Sequence, residues 1–115
     1  MHELGIANSV LQAVQAEALR HPGAHVVKAG VRVGELAGVN PDALAFGFEA
    51  LTHGTEWERL ALEVETCPRR HRCPACHTTF RVADYNFICP GCGGAQTECV
   101  GGDELELAYL ELEEP

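Results

Sequence analysis

The chain has 115 residues, the length of one ordinary domain, with 46% hydrophobic and 22% charged residues. Eight basic residues against seventeen acidic ones give a net charge of −9, which argues against a nucleic-acid surface, since phosphate binding needs clustered Lys and Arg. No run approaches the about 18 apolar residues of a membrane span, and no basic region, apolar run and cleavage site open the chain, so a cytoplasmic protein without membrane association is expected.

Residues 3–21 read as an amphipathic helix. Leu4, Ala7, Leu11, Val14 and Ala18 recur at helical spacing, Ile6, Val10 and Ala13 widen the stripe enough to pack on a sheet, and His21-Pro22-Gly23 stops it. Residues 26–33 alternate as a half-buried strand, with Val27, Ala29, Val31 and Val33 on one face and Lys28, Gly30 and Arg32 on the other. Asn40-Pro41-Asp42 combines a capping side chain, a first-turn proline and an acid at the positive end of the helix dipole. The second helix carries Leu44, Phe48 and Leu51 on one stripe and ends at Gly54. Two further strands alternate at 60–66 and 105–112. In the last, the parity slips at Tyr109-Leu110, which points to a bulge or a change of exposed face.

Residues 67–100 differ in composition: they hold all six cysteines and few long aliphatics. Cytoplasmic thiols stay reduced, so metal or redox chemistry comes before disulfides. Cys73-Pro-Ala-Cys76 and Cys89-Pro-Gly-Cys92 are two Cys-x-x-Cys turns, and together they complete the S₄ shell that Zn(II) prefers. Four protein ligands leave no open position, so the expected ion is structural. An iron–sulfur centre or a rubredoxin-like iron is the alternative. Cys73 to His77 also fits the haem-attachment pattern, but there is no export signal and a second turn awaits the first. Gly91, Gly93 and Gly94 are expected to supply left-handed backbone, and Phe80, Val82, Phe87 and Ile88 a small core between the turns. His71 and His77 are expected to be exposed loop residues beside the site, with a role as alternate ligands at altered pH as the weaker reading, and Cys67 and Cys99 a pair of buried reduced thiols where the chain enters and leaves it, with a disulfide or redox-sensitive pair as the weaker reading. The fold expected is therefore α+β: a small mixed three-stranded sheet with two helices in 1–66 and 101–115, and an inserted zinc-ribbon-like module in 67–100.

The chain begins Met1-His2-Glu3. A terminal amine, the deprotonated His2 amide and the His2 imidazole form fused chelate rings, to which Glu3 adds a donor. Nitrogen-rich sets of this kind suit Ni(II) and Cu(II). Bulky His2 should discourage removal of Met1. On these residues alone, a frayed terminus with a solvated histidine is the simpler reading.

The start Met-His-Glu-Leu, the amphipathic helix, Val-Arg-Val-Gly-Glu-Leu at 31–36, Leu-Ala-Phe-Gly-Phe at 44–48 and the late Cys-x-x-Cys pair together resemble the HypA/HybF family over essentially the whole chain. The resemblance implies a nickel metallochaperone serving the [NiFe]-hydrogenase large-subunit precursor. Its implied partners are the GTPase HypB and, for some members, urease maturation proteins, with a homodimer as a further partnership to weigh. It implies a labile Ni(II) cargo on His2, with Glu3 and the Met1 amine as further donors, and structural Zn(II) on Cys73, Cys76, Cys89 and Cys92. Gly5 stands where the family often has Ser, which removes a hydroxyl near the start. Two other classes weigh less. A zinc-ribbon module of transcription or translation fits poorly with the acidic balance. For an enzyme there is no nucleophile–base pairing and no glycine-rich phosphate loop, and His53, Glu56 and Glu58 read as surface residues.

Overall fold

The apolar stripe at the start of the chain forms helix α1 (Glu3–Ala18) in the computed structural model, which describes residues 3–114. Ala7, Val10, Leu11 and Val14 face inward. The helix ends before residue 21 because the chain tightens: the Arg20 and His21 amides bond the carbonyls of Glu17 and Ala18, three residues back. Pro22 disfavours helical backbone at His21, and Leu19 is left 84% exposed.

Strand β1 (His25–Gly34) is the centre of the larger sheet, whose strand order is β2-β1-β6. Helix α2 (Pro41–Thr52) carries the chain across to β2 (Ala61–Cys67), which pairs parallel with β1. The Asn40 side chain caps α2 as expected, accepting from the Asp42 and Ala43 amides at 2.9 and 3.1 Å. Strand β6 (Leu105–Glu113) pairs antiparallel on the other side of β1. Both helices cover one face of the sheet, where Ala29, Val31 and Val33 meet Val14, Leu44 and Phe48.

Two irregularities shape the β1–β6 pairing. Gly30 lies opposite Tyr109 and Val31 opposite Leu107, so Ala108 is an extra residue in β6, next to the expected parity slip. Leu107 and Leu110 therefore pack against the core, while Leu105 stays 48% exposed. Likewise Val27 is extra in β1, so Val26 and not Val27 packs on the core. On the open face the Tyr109 ring covers Gly30, where a side chain would collide with it, and its hydroxyl donates to Glu63 at 2.6 Å.

Residues between β2 and β6 build a second sheet that alternation did not foretell. Strands β3 (Arg70–Arg72), β4 (Thr79–Arg81) and β5 (Glu98–Gly101) run antiparallel in the order β4-β3-β5. The molecule is long, 54 × 30 × 15 Å, with a radius of gyration of 17.9 Å against about 13 Å for a compact chain of this size.

The two sheets meet where backbones pass in near contact. Gly34 ends β1 with its α-carbon facing the Gly102 carbonyl, and Gly102, at φ 111°, lies against the Arg69 backbone. The Gly34 amide donates to Glu104 O and the Leu36 amide to Gly102 O, each at 2.6 Å, and the Glu35 carboxylate accepts from the Arg69 amide at 2.9 Å. A Cβ at Gly102 would stand 2.6 Å from Arg69 Cα, whereas Gly38, at φ 70°, has open space around it. Gly102→Ala should therefore cost about 3 kcal/mol, from backbone strain and overlap together. Gly38→Ala should cost about 1 kcal/mol, from handedness alone. Urea unfolding followed by Trp57 fluorescence measures both, and equal losses would contradict the close approach.

Candidate metal centre

The two Cys-x-x-Cys turns fold alike because each closes the same backbone pattern. The Cys73 amide bonds Thr78 O and the Cys73 carbonyl accepts from the His77 amide; the Cys89 amide bonds Gly94 O and its carbonyl accepts from the Gly93 amide. The fifth residue of each turn takes left-handed backbone: His77 at φ 66° and Gly93 at φ 78°. Of the three glycines expected to supply that conformation, only Gly93 does so. Gly91 and Gly94 provide room instead, since a Cβ on either would lie 3.4–3.7 Å from the cysteine sulfurs.

These turns bring Cys73, Cys76, Cys89 and Cys92 together, with all four sulfurs within 4.8 Å of one another. Cys73 Sγ lies 3.6 Å from Cys92 Sγ, and Cys76 Sγ 3.5 Å from Cys89 Sγ. A tetrahedral S₄ shell with Zn–S of about 2.3 Å has sulfurs about 3.8 Å apart, so the cluster fits a zinc-sized ion. Each turn contributes one buried thiol (Cys73, Cys89) and one exposed thiol (Cys76, Cys92).

The electrostatics fit a cation as well. Hydrogen bonds from the Thr78 hydroxyl and amide, then Cys89, pull the Cys76 thiol down to about 6. Backbone amides of Cys76 and Ala75 lower Cys73 against the cost of burial. The Gly94 amide pulls Cys92 down too, but the Cys73 and Cys76 sulfurs outweigh it and push Cys92 up to about 12. Four like charges this close cannot all form alone, and a divalent ion removes that barrier. Thr78 is the supporting residue that sequence reasoning missed; a threonine two places after a cysteine is too common to signal a role.

His71, expected as an exposed loop residue, is instead only 4% exposed on β3. It stacks on Phe87 with ring centres 5.0 Å apart, and Phe80 tilts against it at 6.2 Å. Thr97 Oγ1 donates to Phe87 O and so accepts from His71 Nδ1 at 2.9 Å, while Nε2 accepts from Arg69 Nε at 3.0 Å. Burial, then the Arg69 charge, hold its pKa below the ordinary histidine value. With both nitrogens engaged, His71 supports the module from within and stays out of the sulfur cluster. Val82 is buried as expected, but Ile88, expected in this core, is 53% exposed. His77 is exposed, and its Nδ1 accepts from Arg72 at 2.6 Å.

No disulfide joins any of the six cysteines. Cys67 is buried against the Arg32 guanidinium, but Cys99, expected to be buried, is exposed on the edge strand β5. His53 and Glu58 form an exposed pair at 3.2 Å, in line with a surface role. Of the N-terminal donors, Met1 and His2 lie outside the described residues. Glu3 opens α1, and its carboxylate accepts from the Asn40 amide at 3.3 Å, beside the capped start of α2. No helix among the described residues is long and apolar enough to cross a membrane.

Two solved structures share the fold over the full length of this chain. One is the solution structure of the Ni metallochaperone HypA from Helicobacter pylori, with TM-score 0.66 and 18% identity, covered over 100% of its own length. The other is a solution structure of a HypA protein, with TM-score 0.73 and 19% identity, covered over 98%. Fold and site together define a small α+β protein bearing a zinc-ribbon-like module, whose four-sulfur cluster would leave a tetrahedral ion no open position for a substrate.

The HypA family, described as hydrogenase/urease nickel incorporation, metallochaperone, matches residues 1–112. A hydrogenase maturation factor HypA of Roseiflexus sp. (strain RS-1) is 40% identical over 115 residues, covering 99% of this chain and 94% of the relative. Another from Albidiferax ferrireducens is 36% identical over 113 residues, covering 98% of this chain and all of the relative. The chain belongs to the HypA family, whose members are metallochaperones of hydrogenase maturation and not enzymes.

The thiol electrostatics set a pH dependence. At neutral pH Cys76 is already ionised, but Cys92 keeps its proton until an ion displaces it. Metal binding releases protons, so retention must weaken as pH falls, and more steeply below about 6, where Cys76 also takes up a proton. Zinc retained against a competing chelator should drop by about tenfold per pH unit or more between neutrality and pH about 5. Constant retention across that range would rule out this thiol set as the site.

Proposed function

We propose that this protein binds Ni(II) through His2, with the Met1 amine and Glu3 as further donors, and delivers it to the [NiFe]-hydrogenase large-subunit precursor together with the GTPase HypB. The observation that carries the reading is the family match, which runs from residue 1 and takes in the Met1-His2-Glu3 start. Urease is a second recipient, favoured by a family description that names both enzymes. The reduced thiols suit work in the cytoplasm.

Delivery calls for a donor set that lets go. Amide nitrogens bind only once deprotonated and imidazole only while neutral, so proton return to the His2 amide and imidazole loosens the ion and passes it to a recipient by ligand exchange. Glu3, one of the proposed donors, accepts from the Asn40 amide at 3.3 Å, a contact that ties the first turn of α1 to the start of α2.

Zn(II) in this reading is held by Cys73, Cys76, Cys89 and Cys92, where it closes the 67–100 domain on itself while 1–66 and 101–115 form the nickel-binding domain. Thiolate softness selects zinc at one end, and nitrogen donors with planar geometry select nickel at the other. The larger domain has its own apolar core, whereas the module relies on its ion and a few aromatics.

Two substitutions separate these roles. His2→Ala should abolish nickel binding, read by absorption during nickel titration, with zinc content and melting unchanged. Cys73→Ser should release zinc and melt the β3–β5 sheet. Equal nickel binding by wild type and His2→Ala would place the cargo site elsewhere, and a hydrogenase-maturation assay with HypB tests delivery itself.

A further inference from the structure

The charge of this chain is unevenly divided. Residues 67–100 hold four arginines and only two acids, Asp84 and Glu98, while the rest holds four basic residues against fifteen acids. One of the four arginines works internally: Arg69 lies 4.5 Å over the Phe87 ring and donates to His71.

The other three share the opposite face of the small sheet. Arg70 and Arg72 flank inward-facing His71 on β3, and the register sets Arg81 directly opposite Arg70 and Thr79 opposite Arg72. Like charges placed directly opposite each other destabilise a strand pair. The chain does little to relieve this pair. Arg70 reaches Glu104 only at 4.0 Å, Arg72 is engaged with His77, and Arg81 is exposed with no side-chain hydrogen bond or ion pair among the described residues. The repulsion is thus relieved on one side only, through Arg70 and Glu104, and Arg81 keeps its charge for something outside the chain.

We propose that Arg70, Arg72 and Arg81 form a docking face for a short acidic segment of a protein partner. Guanidinium groups grip carboxylates through paired, parallel hydrogen bonds, and two arginines side by side on neighbouring strands offer two such forks at once. Charge also limits the occupant. A nucleic-acid strand longer than a few nucleotides would run onto the acid-rich remainder of the molecule, whereas a short acidic segment can end within the module. This face is independent of the donors that hold nickel.

The test uses the full-length, zinc-loaded protein and a fluorescein-labelled deca-glutamate peptide, read by anisotropy at low salt. Wild type should bind saturably, and added salt should weaken the complex. The double variant R70E/R81E should bind at least about tenfold more weakly, the loss expected for one charged hydrogen-bonded contact or more. The neutral pair R70Q/R81Q should show a smaller loss in the same direction, which keeps the test valid if charge reversal disturbs folding. Arg59→Glu, outside the module, should change nothing. Arg81→Glu alone should weaken peptide binding and yet raise the module's melting temperature, because it turns a repulsive cross-strand pair into an attractive one; a purely structural arginine would lose both. Absence of saturable binding by wild type, unchanged binding by R70E/R81E, or displacement of the peptide by a decathymidylate oligonucleotide at lower concentration would each overturn the proposal.

Discussion

The chain leaves the larger sheet at Cys67 and has to rejoin it at Leu105, and the pairing of β6 with β1 depends on that return. An excursion of this length carries a closure entropy that the later strand pairing must offset. The two sheets share the cost. Antiparallel pairing brings Gly101 back opposite Arg70, three residues from the point of departure, and the glycines at 34 and 102 let the returning backbone pass close enough to bond the end of β1. The cysteine cluster gathers the far end of the same excursion. Closing the module and registering the last core strand are thus one structural event.

The two proposed metal chemistries follow from how each end of the molecule treats protons. In the module, the Thr78 hydroxyl and amide favour the Cys76 thiolate, while crowding by the other sulfurs holds the proton on Cys92. That is a set poised for a resident ion and able to give up a proton only in exchange for one. At the N-terminus the proposed nitrogen donors bind only when deprotonated, so protons compete with the ion directly. Stable retention and easy release need different donor atoms, and the chain separates them along its length.

Much of the fold was legible because periodicity reports burial. The α1 and α2 stripes and the alternation in β1, β2 and β6 are direct readings of which side faces the core, and even the bulge at Ala108 announced itself as a slip in parity. The failures have physical causes. Alternation cannot see a bulge of two adjacent valines, so Val26 and Val27 were exchanged. The strands of the module span three or four residues, too few for a pattern. His71 looked like a loop residue because its burial depends on Phe87, Thr97 and Arg69 arriving from both sides of the sequence. Cys67 and Cys99 seemed equivalent as entry and exit, yet one lies under Arg32 and the other on an edge strand. The cysteine cluster was readable because two thiols three residues apart constrain one turn whatever surrounds them.

The segment between β1 and α2 ties these parts together. Glu35 accepts from the Arg69 amide where the chain enters the module, and Leu36 bonds Gly102 where it leaves. Left-handed backbone at Gly38 then turns the chain toward Asn40, whose side chain caps α2 and whose amide bonds Glu3 at the start of α1. Six residues therefore touch both crossings of the module and the anchor of the proposed nickel donors. This segment thus connects the entry and exit of the module to the start of α1, next to the proposed donors. A partner held by its acidic segment on the arginine face would stay on the molecule that carries the donors, which makes a transfer by ligand exchange effectively intramolecular.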